Sequence, residues 1–254
     1  GYRFRVDCEL ETEMVPVDQD FSIKRTPVHF HWSLALFPLL LLGLDAIGAR
    51  EARGLGVEVL FGLCIFGSIA LHEIGHVVAA RWVGIQARSI TLHVIGGHAR
   101  LARQPRSGRE ELIVALAGPA VNFAIAAALL TLVFSGLTQG TDIVSELAAL
   151  NLAIALFNML PLFPLDGGRA LRAGLSLVMG HVPATTLAAS VGIMLSAALI
   201  LLSFSIEAPV VGLVALALAF ASYVEGKAVL QQFAPAPERV RGPQAQAVLR
   251  QPVT

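Results

Sequence analysis

Residues 69–82 read Ile-Ala-Leu-His-Glu-Ile-Gly-His-Val-Val-Ala-Ala-Arg-Trp, which sets His72, Glu73 and His76 inside an apolar run covering about 56–82. The run is long enough to cross a bilayer core of ~30 Å as a helix. On a helix, residues four apart lie one above the other on the same face. Both imidazoles therefore reach one point, and His72-Glu73-Ile74-Gly75-His76 matches the H-E-x-x-H arrangement in which two histidines share a metal. A glutamate beside the first histidine is placed to take a proton from water that such a metal activates. The alternative is a pair of core histidines hydrogen-bonded to neighbouring helices. The apolar setting weighs against it, because ionisable groups at membrane depth are costly and belong to functional sites by default. His76 and His72 precede Arg81 by five and nine residues, which places them roughly 7–14 Å from the end of the span.

Working outward, five more apolar runs appear, at about 31–49, 111–136, 143–163, 185–206 and 208–225. The expected fold is thus an α-helical polytopic membrane protein of about six transmembrane helices. Composition agrees: 56% of the 254 residues are hydrophobic and only 14% are charged, against about a quarter charged in soluble domains. The formal net charge is 0, which gives no electrostatic reason to expect nucleic acid as a partner. Cys8 and Cys64 are the only cysteines, too few for a disulfide framework or a thiolate metal site. Residues 1–26 form a polar leader in which 2–10 alternate like a strand. Residues 27–226 form the membrane-embedded domain, and 227–254 are a flexible tail rich in Pro, Gln, Ala and Arg.

Six spans place both termini on one side. The segments on that side carry 16 of the 18 Lys and Arg residues, among them Arg81, Arg88, Arg100, Arg103, Arg106 and Arg109; the other side has Arg50 and Arg53. Basic residues stay in the cytoplasm, so both termini and the 83–110 loop are expected there, in a multi-pass protein of a cell membrane such as the bacterial inner membrane. Within that loop Ser89–Ile95 alternates as a strand and precedes Gly96-Gly97. It predicts a small membrane-associated β segment after the second span, whose edge could hold an extended peptide.

A metal site open to water takes a third protein ligand. Asp166 is the candidate, in Asn158-Met-Leu-Pro161-Leu-Phe-Pro164-Leu-Asp166-Gly167-Gly168-Arg169. Pro161 and Pro164 disfavour helix at the residues before them, so the fourth span should unwind at the depth of His72 and His76. Read alone, an Asp before Gly-Gly is as well explained as a turn residue.

Together these motifs resemble the site-2 protease family of intramembrane zinc metalloproteases. His31-Trp32-Ser33, Gly96-Gly97 and Ala117-Gly118-Pro119 with Asn122 extend the likeness, which covers about 27–226. The resemblance implies that His72, His76 and Asp166 bind one zinc ion per chain and that Glu73 is the catalytic general base. It also implies a core made of spans two to four, with Asn122 and Asn158 positioning substrate or stabilising an oxyanion. The asparagines are otherwise explained as links between helices; Asn151 is read as such a link. The implied substrates are transmembrane segments of other membrane proteins, so the partners are those proteins and the lipid bilayer. Many family members carry a PDZ domain or a pair of nucleotide-sensing domains; neither is visible here, and the 26-residue leader is long for a compact member. Two other readings stay open. One is a non-enzymatic membrane protein that binds or transports metal; the other is a different zinc hydrolase that takes its third ligand from a downstream glutamate.

Overall fold

A computed structural model describes residues 27–30, 43, 55–93, 96–137 and 142–233. The expected first span at 31–49, the strand at 2–10 and the tail beyond 233 lie outside these residues. Among the described residues the elements run β1 (Val28–Phe30), α1 (Leu55–Trp82), β2 (Ala87–His93), β3 (Gly96–Leu101), α2 (Gly108–Phe134), α3 (Asp142–Asn158), α4 (Asp166–Met179), α5 (His181–Ser205) and α6 (Pro209–Gln232).

Four of these, α1, α2, α5 and α6, are long and apolar enough to cross a membrane, while α3 is apolar but shorter. Burial is inverted relative to a soluble protein. Ala80, Ala115, Ala148, Ala155, Ala173 and Ala188 are fully buried, whereas Leu63, Trp82, Phe134, Met194, Leu213 and Phe220 are exposed. Small residues let helix backbones approach where lipid removes the hydrophobic drive between helices, and large apolar side chains are left to face that lipid. The described architecture is that of a polytopic membrane protein.

The end of α1 shows how local sequence sets direction. Ile85 N–H donates to the Ala80 carbonyl at 2.8 Å and Gly84 N–H to that of Arg81 at 2.9 Å. Gly84 has φ +74°, the left-handed conformation that closes a helix and that only glycine adopts without strain. Buried Ile85 then packs on Ala79, Ala80 and Val114, directing the chain into β2. The sheet order is β1-β2-β3, with β1 parallel and β3 antiparallel to β2. This alters the expected β segment in two ways. Gly96 and Gly97 begin a strand instead of ending one, and β2 is paired with β3 on one side and, over Ile90–Leu92, with β1 on the other.

The unwinding after α3 is present: 159–165 are non-helical, with Leu162 and Phe163 buried and the Phe163–Pro164 bond cis. Irregular backbone at membrane depth is tolerated where protein covers it, and here Phe163 N–H also donates to Ser222 Oγ of α6 at 3.2 Å. The expected connection beyond Asp166 is instead a 14-residue helix, α4. Its Leu171 and Leu175 pack on Phe163, Ala188 and Ala189. At the far end α6 continues to Gln232, almost two turns beyond the apolar run ending at 225.

Candidate metal centre

Three elements meet at the site: the middle of α1, the first half of α2 and the N-terminus of α4. Gly75 lets α1 and α2 touch. A Cβ there would stand 2.8 Å from Val121 Cγ2 and 2.9 Å from the Ala117 carbonyl oxygen, too close for any side chain. Gly168 does the same for α4, since its Cβ would lie 2.7 Å from the Leu162 carbonyl. The helix therefore starts hard against the unwound loop and carries Asp166 inward.

The result is an almost equilateral triangle of ligand atoms. His72 Nε2 and His76 Nε2 are 3.1 Å apart, and each is 3.1 Å from Asp166 Oδ2. All three residues are buried, at 6%, 6% and 7% exposure. Glu73 is buried as well.

The second nitrogen of each ring is occupied. His76 Nδ1 is 2.7 Å from the Val114 carbonyl, which can only accept, so that nitrogen carries the proton and Nε2 presents a lone pair. His72 Nδ1 is 2.5 Å from Asn122 Oδ1. Arg169 of α4 donates to the other carboxylate oxygen, Asp166 Oδ1, at 3.3 Å. Two imidazole nitrogens and a carboxylate oxygen thus converge on one point, a donor set that a single cation can share. The spacing suits such an ion: for bonds of about 2.0–2.2 Å, tetrahedral ligand atoms stand roughly 3.3 Å apart. Among the described residues this is the one His/Cys/Asp/Glu group placed to share a metal.

Space around the triangle is kept by Gly118 of α2, where a Cβ would lie 2.6 Å from His72 Nε2 and from His76 Cε1. Asn122 and Asn158, grouped by sequence, have different hydrogen-bond partners. Asn122 is fully buried behind His72. Asn158 ends α3, where its amide donates to the Ile154 carbonyl at 2.9 Å. Asn151 is drawn into the centre: it accepts from Asn122 Nδ2 at 2.9 Å and is itself fully buried. Its position seven residues before Asn158 was a sequence signal for a polar helix face, but not for which helix it meets.

A second polar cluster braces the site from outside. Arg172 of α4 pairs with Glu111 of α2 and Glu225 of α6, and its guanidinium lies 5.2 Å from the centre of the Phe163 ring. No signal in the sequence joined these three charges.

The chain is similar to known proteins. The model of the family described as Peptidase family M50 matches residues 60–145 and 138–203. A zinc metalloprotease of Methanocaldococcus jannaschii is 37% identical over 188 residues, 73% of this chain and 53% of that protein. The chain therefore spans about half the length of that relative. Among solved structures, a site-2 protease from the same organism superposes with a TM-score of 0.59 at 32% identity, covering 81% of this chain and 93% of that one. The family match includes His72, His76, Asn122 and Asp166, and the chain belongs to peptidase family M50, the site-2 protease family.

Proposed function

We propose that this chain is an intramembrane zinc metalloprotease that hydrolyses peptide bonds in or near transmembrane segments of other membrane proteins. The observation that carries the reading is the buried triangle of His72 Nε2, His76 Nε2 and Asp166 Oδ2, with 3.1 Å on each side. His72, His76 and Asp166 would hold one zinc ion. Bound there, zinc supplies Lewis acidity that makes water acidic near neutral pH and polarises a carbonyl.

The remaining roles fall to the chain's own groups. Glu73, buried one residue from His72, takes the proton from the attacking water and passes it to the leaving amine. Gly118 lets the α2 backbone lie directly against both histidines. Asn158, at the mouth of the unwound 159–165 segment, is the amide assigned to the substrate carbonyl; a donor aimed at developing negative charge is the general device for such a step. The helices keep bulk water and lipid apart at this depth.

In this reading the apolar run at 31–49 and the shorter α3 complete six spans. Both termini lie in the cytoplasm with the arginines of the 83–110 loop, in a cell membrane such as the bacterial inner membrane.

The test compares membrane proteomes of cells carrying the wild type and Glu73→Gln. A membrane protein shortened only by the wild type supports the reading. A cellular effect that persists in Glu73→Gln, with zinc bound, points to a metal-binding protein without catalysis.

A further inference from the structure

The side chains behind His72 form a hydrogen-bonded chain whose direction is set at its far end. Ser68 Oγ donates to the Cys64 carbonyl at 3.0 Å, so its oxygen is left to accept. Asn151 Nδ2 donates to that oxygen at 3.1 Å and to the Leu147 carbonyl at 2.8 Å. A backbone carbonyl cannot donate, so the Asn151 amide cannot be turned round without setting oxygen against oxygen. Its Oδ1 must then face Asn122, and accepts from Asn122 Nδ2 at 2.9 Å. That fixes Asn122 in turn, so its Oδ1 faces His72 Nδ1 at 2.5 Å. Facing an acceptor, His72 must carry a proton on Nδ1, so Nε2 is the nitrogen available to a metal. Ser68, Asn122, Asn151 and His72 are all buried, where water cannot substitute for a missing partner.

We propose that Ser68, Asn151 and Asn122 form a positioning relay that holds the His72 proton on Nδ1 and presents Nε2 as the metal-binding atom. The relay crosses from α1 to α3 to α2 and back to α1, so three helices must be docked before the ligand is correctly set. His76 reaches the same state through the Val114 carbonyl alone. The relay turns both polar groups of the Asn122 amide away from substrate, toward His72 and Asn151. The inference rests on the reading that His72 is a metal ligand. Partners of this kind behind a metal-binding histidine are worth about tenfold to hundredfold in metal affinity.

The test uses the full chain in detergent micelles. Histidine labelled with nitrogen-15 reports, in metal-free wild type, which nitrogen of His72 carries the proton, with His72→Ala identifying the signal. Zinc affinity is measured by competition with a chelator for wild type, Ser68→Ala, Asn151→Leu, Asn122→Leu and His72→Ala. The relay predicts a proton on Nδ1 and zinc affinity reduced about tenfold to hundredfold in Asn122→Leu. It also predicts a smaller loss in Asn151→Leu, where the acceptor remains but is free to turn, and little change in Ser68→Ala, where the Leu147 carbonyl still anchors Asn151. A proton on Nε2 with Nδ1 bare overturns the proposal, as does a folded Asn122→Leu with affinity within twofold of wild type. Should the asparagine variants not fold, the wild-type proton position decides alone. Zinc binding unchanged in His72→Ala would instead defeat the ligand assignment, an outcome separate from failure of the relay.

Discussion

Gly118 on α2 lies against His72 on α1 so closely that a Cβ at position 118 would stand 2.6 Å from the His72 Nε2 atom. The absent side chain is therefore space between two helices at the point where the ligand atoms converge. Gly118→Ala should push the histidines away from Asp166. Overpacking of this kind costs about 1–3 kcal/mol, and a displacement near 1 Å at a reacting centre costs about a hundredfold in rate. Cleavage of a peptide substrate and zinc retained after dialysis, measured on one preparation, check this. Unchanged zinc and activity would mean that the site does not need the gap.

Removing the metal should loosen the structure at a defined place. The two Nε2 atoms and Asp166 Oδ2 lie 3.1 Å from one another, and a cation shared among them ties α1 to α4. A ligand that binds only the folded state adds about 2.7 kcal/mol when its concentration is a hundred times its Kd. Wild type in micelles should melt earlier after chelation and recover with zinc. Asp166→Ala should show no recovery. A zinc response retained in that variant would place the third ligand elsewhere.

Asn158 and Asn122 should separate in their effects. Asn158 bonds within its own helix, to Ile154, whereas Asn122 bonds to His72. With Asn158→Ala we expect turnover to fall by about a hundredfold or more with zinc content unchanged; Asn122→Leu should lose zinc. Both are read by metal analysis beside a cleavage assay, and equal zinc loss in the two would defeat the division.

What the sequence showed and what it hid follow from the range of the interactions. His72, Glu73 and His76 were legible because their relation lies within one helix, where spacing alone sets geometry. Asp166 was half legible: Pro161 and Pro164 announced the unwound segment, but only the fold brings it across 90 residues to His76. Asn151 was read as a link between helices because its partners, Ser68 and Asn122, are 83 and 29 residues away. Helix α4 was missed for another reason. Asp166 before Gly167-Gly168 read as a turn, yet the glycines are contact points on the 159–165 backbone and Arg172 is neutralised inside the protein. The helical spacing of Leu171, Leu175 and Val178 held the signal for an amphipathic helix. The two-sided pairing of β2 depends on β1, some 60 residues earlier, and no alternation within β2 could reveal it.

Arg172 provides the sharpest stability test. Its side chain is 13% exposed and that of Glu111 9%, while Glu225 is 42% exposed. Arg172→Met therefore leaves Glu111 as a buried carboxylate without its partner, and lets Glu225 return to water. Breaking a buried pair from one side costs about 3–5 kcal/mol, whereas replacing both partners by apolar groups is often neutral or better. Arg172→Met should thus be strongly destabilised, and Arg172→Met with Glu111→Leu should recover most of the loss, as read by denaturant unfolding in micelles. Activity gives the second half of the test. Arg172 joins α2 and α6 to the helix that begins with Asp166, so the single variant should also lose zinc, and the apolar pair should regain it if packing alone can hold α4. If the double variant unfolds as easily as the single one, the charge on Arg172 is needed for more than neutralising Glu111, and its contact with Phe163 becomes the next group to alter.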